Sequence, residues 1–162
     1  MSFREFSEVC ERVARTSSKN AKVTIIASYL KSLPEDALEI AARFLSGKPF
    51  PKGSDLELNL GYRSLSKALV EVSGMSREEL LEVYRETGDL GETAERALSK
   101  RRVLIPLIQD FSSLSLVQVQ EELNRIALIR GEGSHERKLR GLKGLLIRCD
   151  PLEAKYLYKL LL

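Results

Sequence analysis

The sequence predicts an all-α fold: a compact multi-helix domain with two glycine-cornered helical hairpins in a pseudo-twofold arrangement. Three observations lead there. Apolar residues recur at the helical period in nearly every segment, and no stretch alternates as a half-buried strand would. Helix-start signals recur along the chain, with Ser or Asp followed three residues later by Glu or Gln: Ser76/Glu79, Asp89/Glu92 and Ser115/Gln118. Glycines stand where those helices should stop, at Gly74, Gly88 and Gly131.

In order, the first helix is expected from Ser2 to Ala14, with Phe3, Phe6, Val9, Cys10 and Val13 on one face. Arg15-Thr16-Ser17-Ser18 breaks it. The second, Asn20 to Lys31, should turn Val23, Ile26, Ala27 and Leu30 inward. Ser32-Leu33-Pro34-Glu35 reads as a restart with a Ser cap and Pro in the first turn, and Leu38, Ala41, Ala42 and Leu45 then form a core face. Ser46 to Tyr62 is the longest loop, a length that in a compact domain signals function or tight packing. Helices follow at 64–73, 76–88, 89–102 and from Ser115, with an irregular link at 103–113 broken by Pro106. A basic helix follows Ser134, and Asp150-Pro151 opens the last one. The chain ends Leu160-Leu161-Leu162, which reads as a cut before more protein. Glu78-Glu79-Leu80 with Gly88-Asp89 is echoed 43 residues later by Glu121-Glu122-Leu123 with Gly131-Glu132. That echo is the source of the expected pseudo-twofold.

A chain of 162 residues that is 43% hydrophobic supports one domain with a real core. Its apolar runs are too short to span a bilayer, and no secretory signal is visible. The expected setting is intracellular, with Cys10 and Cys149 as thiols.

Charge singles out residues 130–148. Six cations (Arg130, Arg137, Lys138, Arg140, Lys143 and Arg148) face only Glu132 and Glu136 there, a net +4 in a chain of +3. On a helical wheel Leu139, Leu142, Leu145, Leu146 and Cys149 share the buried sector, while Arg137, Arg140, Gly144 and Arg148 lie opposite. A small residue on a basic face lets a phosphate backbone come close. Gly131-Glu132-Gly133-Ser134 precedes this helix, with Gly131 expected as a left-handed cap and Ser134 as N-cap. Glycines before a basic first turn are an anion-binding arrangement that positions a backbone without reading bases. The same face also fits a solvated basic surface whose glycines admit a neighbouring helix. No catalytic set stands out: there is no phosphate loop of the Gly-x-x-x-x-Gly-Lys-Ser/Thr kind, no Lys-x-Asp-Gly, and a single histidine, His135.

Taken together, the motifs resemble the N-terminal DNA-binding domain of ATP-dependent DNA ligases, archaeal ones above all, across essentially the whole chain. The resemblance is carried by Thr16-Ser17-Ser18, by Leu56-Glu57-Leu58 and Gly61 ahead of Lys67-Ala68-Leu69, and by Gly88-Asp89-Leu90-Gly91. Gly131-Glu132-Gly133-Ser134 with Arg137-Lys138 and Leu145-Leu146, then Pro151-Leu152-Glu153-Ala154-Lys155-Tyr156, complete it. It implies a helical domain gripping nicked double-stranded DNA from the minor-groove side through backbone contacts. Gly131, Gly133, Ser134 and Lys138 would hold phosphates at one corner and Gly88, Asp89 and Gly91 at the other, with Lys67 a further candidate. Arg130, Arg137, Arg140, Lys143 and Arg148 join them from the charge pattern. The resemblance also implies that the ligase's own catalytic domains, with ATP and magnesium, lie beyond Leu162. A sliding-clamp peptide is implied in the link, where Val103 to Phe111 keeps Gln109 and Phe111 but no aromatic pair. Two other readings fit the same residues: a helical protein-interaction adaptor, or a DNA-binding module of another DNA-repair enzyme.

Overall fold

Phe3 anchors α1 (Phe3–Arg15), whose amino end is tied to the start of α7: the Phe3 amide donates to Leu114 O at 2.6 Å and the Leu116 amide to Met1 O at 3.1 Å. The computed structural model describes residues 1–100 and 114–162. Among them the chain forms α2 (Lys19–Lys31), α3 (Glu35–Leu45), α4 (Tyr62–Ser73), α5 (Arg77–Thr87), α6 (Leu90–Ser99), α7 (Leu116–Ala127), α8 (Ser134–Ile147) and α9 (Pro151–Leu161). No strand occurs among the described residues; one isolated bridge joins Ser2 and Ser115. None of these helices is long and apolar enough to cross a membrane.

The last helix is the hub. Glu153 through Tyr158 are all buried, and α1 and α6 pack against α9. Tyr158 is fully enclosed and its hydroxyl donates to Leu65 O at 2.7 Å, which pins α9 to the first turn of α4. A buried phenol usually finds such a partner. Aromatic packing closes the other side, where Phe6 meets Phe3, Tyr29 and Phe44 with centroids 5.7 to 6.4 Å apart.

Expected caps at Ser76, Asp89 and Ser115 all form, with both halves of the capping box at Ser76 and Ser115. The start of α3 differs. Ser32 closes α2, and Pro34, which has no side chain to accept with, stands at the N-cap of α3. Two faces also differ. Val23 is 58% exposed: among the described residues α2 packs chiefly against α1 and α3, and Tyr29 is its one buried residue. In α3 the buried set is Ala37, Ile40, Ala41 and Phe44, while Leu38 and Ala42 are exposed. The Phe44 ring seeks the aromatic cluster and turns the helix by about one residue. The two thiols behave as expected of unbridged cysteines, Cys149 buried and Cys10 half-buried.

Candidate nucleic-acid interface

Side-chain pairs along α9 fix the direction of its neighbours. Arg4 reaches Asp150 at 2.9 Å, and seven residues on Glu11 accepts from Lys155 Nζ at 2.9 Å and the Tyr156 hydroxyl at 2.7 Å. Helices α1 and α9 therefore run the same way. Lys159 meets Asp89 at 3.1 Å and Lys155 meets Glu95 at 3.6 Å, so α6 runs against α9. His135 bonds Ser64 at 3.1 Å, Glu136 faces Lys67 at 3.9 Å and Lys143 pairs with Glu71, so α8 runs alongside α4. The amino ends of α4, α6 and α8 thus gather where α9 finishes, together with the corner that joins α1 to α2. Tyr62, in the first turn of α4, stacks edge-on against Tyr84 at 5.7 Å and feels the charge of Asp89. That links the α5–α6 corner to the α7–α8 corner through the start of α4.

These amino ends are not equally available. Each presents unpaired amides and the positive pole of a helix dipole, about half an elementary charge. In α6 the Asp89 carboxylate accepts from the Glu92 amide at 2.8 Å and from Lys159 at 3.1 Å. Burial works to raise the Asp89 pKa, but the Glu92 amide and the Lys159 ammonium outweigh it and hold the carboxyl below the usual aspartate range. A permanent anion already caps this end. By contrast, α4 begins at Gly61 and α8 at Gly133, and neither has a side-chain cap. Among the described residues the amides of Tyr62, Arg63 and Ser64, and of His135 and Glu136, find no acceptor.

The residues singled out in the sequence fall into distinct groups here. Gly88 is exposed in the left-handed region (φ 70°) and closes α5. Gly91 is buried: a Cβ there would stand 2.9 Å from Lys155 O and 2.9 Å from Lys159 Cγ. It lets α6 approach α9 and presents nothing to solvent. Gly131 (φ 91°) and Gly133 (φ 70°) are both exposed and both left-handed. The N-cap of α8 is Gly133, not Ser134, because α7 already ends at Ala127 and a longer corner intervenes. Ser134 opens the helix and its amide donates to Gly131 O at 3.1 Å.

Arg137 braces this corner, donating to Arg130 O at 2.7 Å and Glu132 O at 3.3 Å. Lys138, expected on a phosphate, is only 7% exposed and donates to Leu58 O at 3.1 Å. Its position directly before the buried Leu139 turns it toward the 46–61 loop. Lys67 and Lys143 are each paired with a carboxylate on the facing helix. Arg130, Arg140 and Arg148 are exposed, and their guanidinium groups have no partner among the described residues. The link 103–113, including Val103 to Phe111, lies outside the described residues.

Two features escaped sequence reasoning. Arg63, exposed in the uncapped first turn of α4, belongs with this end. It carries no local motif, and its place beside α8 shows only in contacts between the two helices such as Ser64–His135. The second feature was countable in the sequence. Residues 12–34 hold Arg12, Arg15, Lys19, Lys22 and Lys31 and no carboxylate, a net +5 that exceeds the 130–148 stretch. Positive charge is therefore divided between two places and not gathered in one.

Residues 2–162 match the family described as DNA ligase N terminus. The chain belongs to that family. It is 36% identical to a DNA ligase of Methanopyrus kandleri over 159 residues, 98% of this chain and 28% of that protein. It is 37% identical to a DNA ligase of Archaeoglobus fulgidus over 163 residues, covering all of this chain and 29% of that protein. A DNA ligase of Thermococcus onnurineus is 32% identical over 162 residues. The chain thus spans less than a third of the length of the ligases it matches.

Proposed function

We propose that this domain binds nicked double-stranded DNA without sequence preference and positions it for ATP-dependent ligation by catalytic domains of the same polypeptide. One observation carries the reading: the uncapped amino ends of α4 and α8 lie side by side, joined by Ser64 and His135, with Arg63, Arg130 and Arg140 exposed around them. Unpaired amides at a helix start favour phosphate oxygens and carry no base information. Gly131 and Gly133 hold the corner in a shape that places no Cβ between those amides and a ligand. The guanidinium groups supply a field that draws DNA to the corner. Arg137, itself exposed, braces the corner, and the buried Lys138 anchors the 46–61 loop. ATP and magnesium belong to the catalytic domains; within this chain no Lys-x-Asp-Gly occurs to carry adenylate.

The test is a salt titration of duplex binding. With about five phosphates neutralised, log K falls against log salt with a slope of about −4 to −5. Scrambling the duplex sequence leaves the curve in place. A flat response would overturn the reading and favour a helical adaptor.

A further inference from the structure

Helix α2 buries a single residue, Tyr29, where every other described helix buries two or more. Its apolar content is not low. Val23, Ile26, Ala27 and Leu30 stand at i, i+3, i+4 and i+7, the spacing that sets four side chains along one line of a helix. The core, however, takes α2 by Ile25 and Tyr29, which lie about a third of a turn round the helix from that line. Ile26, Ala27 and Leu30 are left half-buried, and Val23 is the most exposed large apolar side chain within any described helix. A lone exposed valine is ordinary, but a stripe at this spacing is how one helix receives another.

The charges beside the stripe select what it receives. Lys19 precedes Val23 by four residues, Lys22 precedes Ile26 by four and Lys31 follows Ala27 by four, so each lysine lies one turn from a member of the stripe. None of the three ammonium groups has a partner among the described residues, whereas Lys67, Lys143, Lys155 and Lys159 all face carboxylates. No Asp or Glu occurs from Arg12 to Pro34. An apolar seam flanked by charge of one sign prefers a helix flanked by the other. A second copy of this chain, docked symmetrically, would set lysine against lysine. The stripe carries no aromatic anchor of the kind that holds a helix in a membrane surface. A phosphate backbone offers nothing apolar to four aliphatic side chains.

We propose that the outer face of α2 receives an acidic amphipathic helix of another protein. Its aliphatic residues lie on Val23, Ile26, Ala27 and Leu30, and its carboxylates meet Lys19, Lys22 and Lys31. The inference stands apart from the DNA-binding reading, since it uses nothing at the α4 and α8 amino ends.

The test is fluorescence anisotropy of a labelled probe peptide against the whole chain. The probe has about 18 residues, with Leu at i, i+3, i+4 and i+7, Glu on both flanks and Ala elsewhere. One control scrambles its order and another replaces Glu by Lys. The Glu peptide should bind saturably, with both controls at least about tenfold weaker. Val23→Ser should weaken it by about fivefold, and Val23→Glu, which sets like charge against the probe, by at least about tenfold. Lys19→Gln combined with Lys31→Gln should weaken it and flatten its salt dependence. Val23 is exposed and serine is close to valine in helix propensity, so Val23→Ser should keep the parent melting temperature and the parent affinity for duplex DNA. No saturation at about 1 mM probe, or equal binding of the Glu and Lys peptides, overturns the proposal. Weaker duplex binding by Val23→Ser overturns it by placing the stripe against nucleic acid. Self-association of the chain that Val23→Ser abolishes assigns the stripe to a second copy, and binding to phosphatidylglycerol vesicles that the same change abolishes assigns it to a membrane; either result overturns it too.

Discussion

Replacing Gly91 with Ala separates packing from phosphate contact at the first corner. The added Cβ would sit 2.9 Å from Lys155 O, 2.9 Å from Lys159 Cγ and 3.0 Å from Asp89 Oδ1. The lysine methylene can swing away. The carbonyl cannot, because Lys155 is buried in the middle of α9 and its ammonium is tied to Glu11 and Glu95. Helices α6 and α9 must therefore part by a few tenths of an ångström. Overpacking of this kind costs about 1–3 kcal/mol. Alanine recovers up to about 1 kcal/mol of helix propensity, and less at the second residue of a helix than in its interior. The expected net loss is about 1–2 kcal/mol. For a chain of this size each kcal/mol lowers Tm by about 2–4 °C, so the drop should be about 2–8 °C by circular dichroism at 222 nm. Affinity for duplex DNA, measured by anisotropy well below Tm, should stay within about twofold, since a change below ~0.4 kcal/mol is all that an indirect effect would leave. An unchanged Tm with affinity reduced tenfold would refute the reasoning and return Gly91 to the DNA-facing surface.

Other perturbations follow from the same contacts. Lys138→Met should leave the salt slope of DNA binding unchanged, because its ammonium faces Leu58 O; loss of that anchor should cost about 1–2 kcal/mol. It should also speed proteolysis of the 46–61 loop, and a slope shallower by one would show Lys138 on a phosphate instead. Gly144→Ala meets no atom within 4 Å and should stabilise the chain by about 1 kcal/mol. Weaker DNA binding by this more stable variant would show that the backbone approaches α8 there. Burial pushes the Glu153 carboxyl up to about 7, and one of its oxygens has no partner. A carboxyl raised in the folded state stabilises the protonated form, so its contribution is complete below pH 4.5 and is lost as pH rises through 7. Glu153→Gln should therefore raise Tm at pH 8 and leave it nearly unchanged at pH 4.5, measured in parallel melts; equal shifts at both values would refute the assignment.

Much of the fold was legible because helix signals are local. Ser76 with Glu79 and Ser115 with Gln118 act within one turn, and both boxes form where their spacing requires. The wheel of the basic helix also held, since Leu139, Leu142, Leu145, Leu146 and Cys149 are all buried. What failed was rotation and exchange of partners. Phe44 packs its ring on Phe6 and is buried, while Leu38 is left exposed. The repeat at 43 residues misplaced the corner, because α5 passes to α6 through Gly88 and Asp89 alone while α7 and α8 are separated by residues 128–133.

By itself, then, the sequence determined a helical chain with its breaks, a buried apolar seam and the residues that could meet a phosphate. Only the tertiary structure decided which of those residues are available. Asp89 caps its own helix, Gly91 seats α6 on α9, Lys138 holds a loop, and Lys67 and Lys143 face carboxylates across α4 and α8. The reason is physical: helix formation depends on contacts within a few residues, whereas the availability of a charge or an amide depends on partners 70 or more residues away, as for His135 with Ser64 and Lys159 with Asp89.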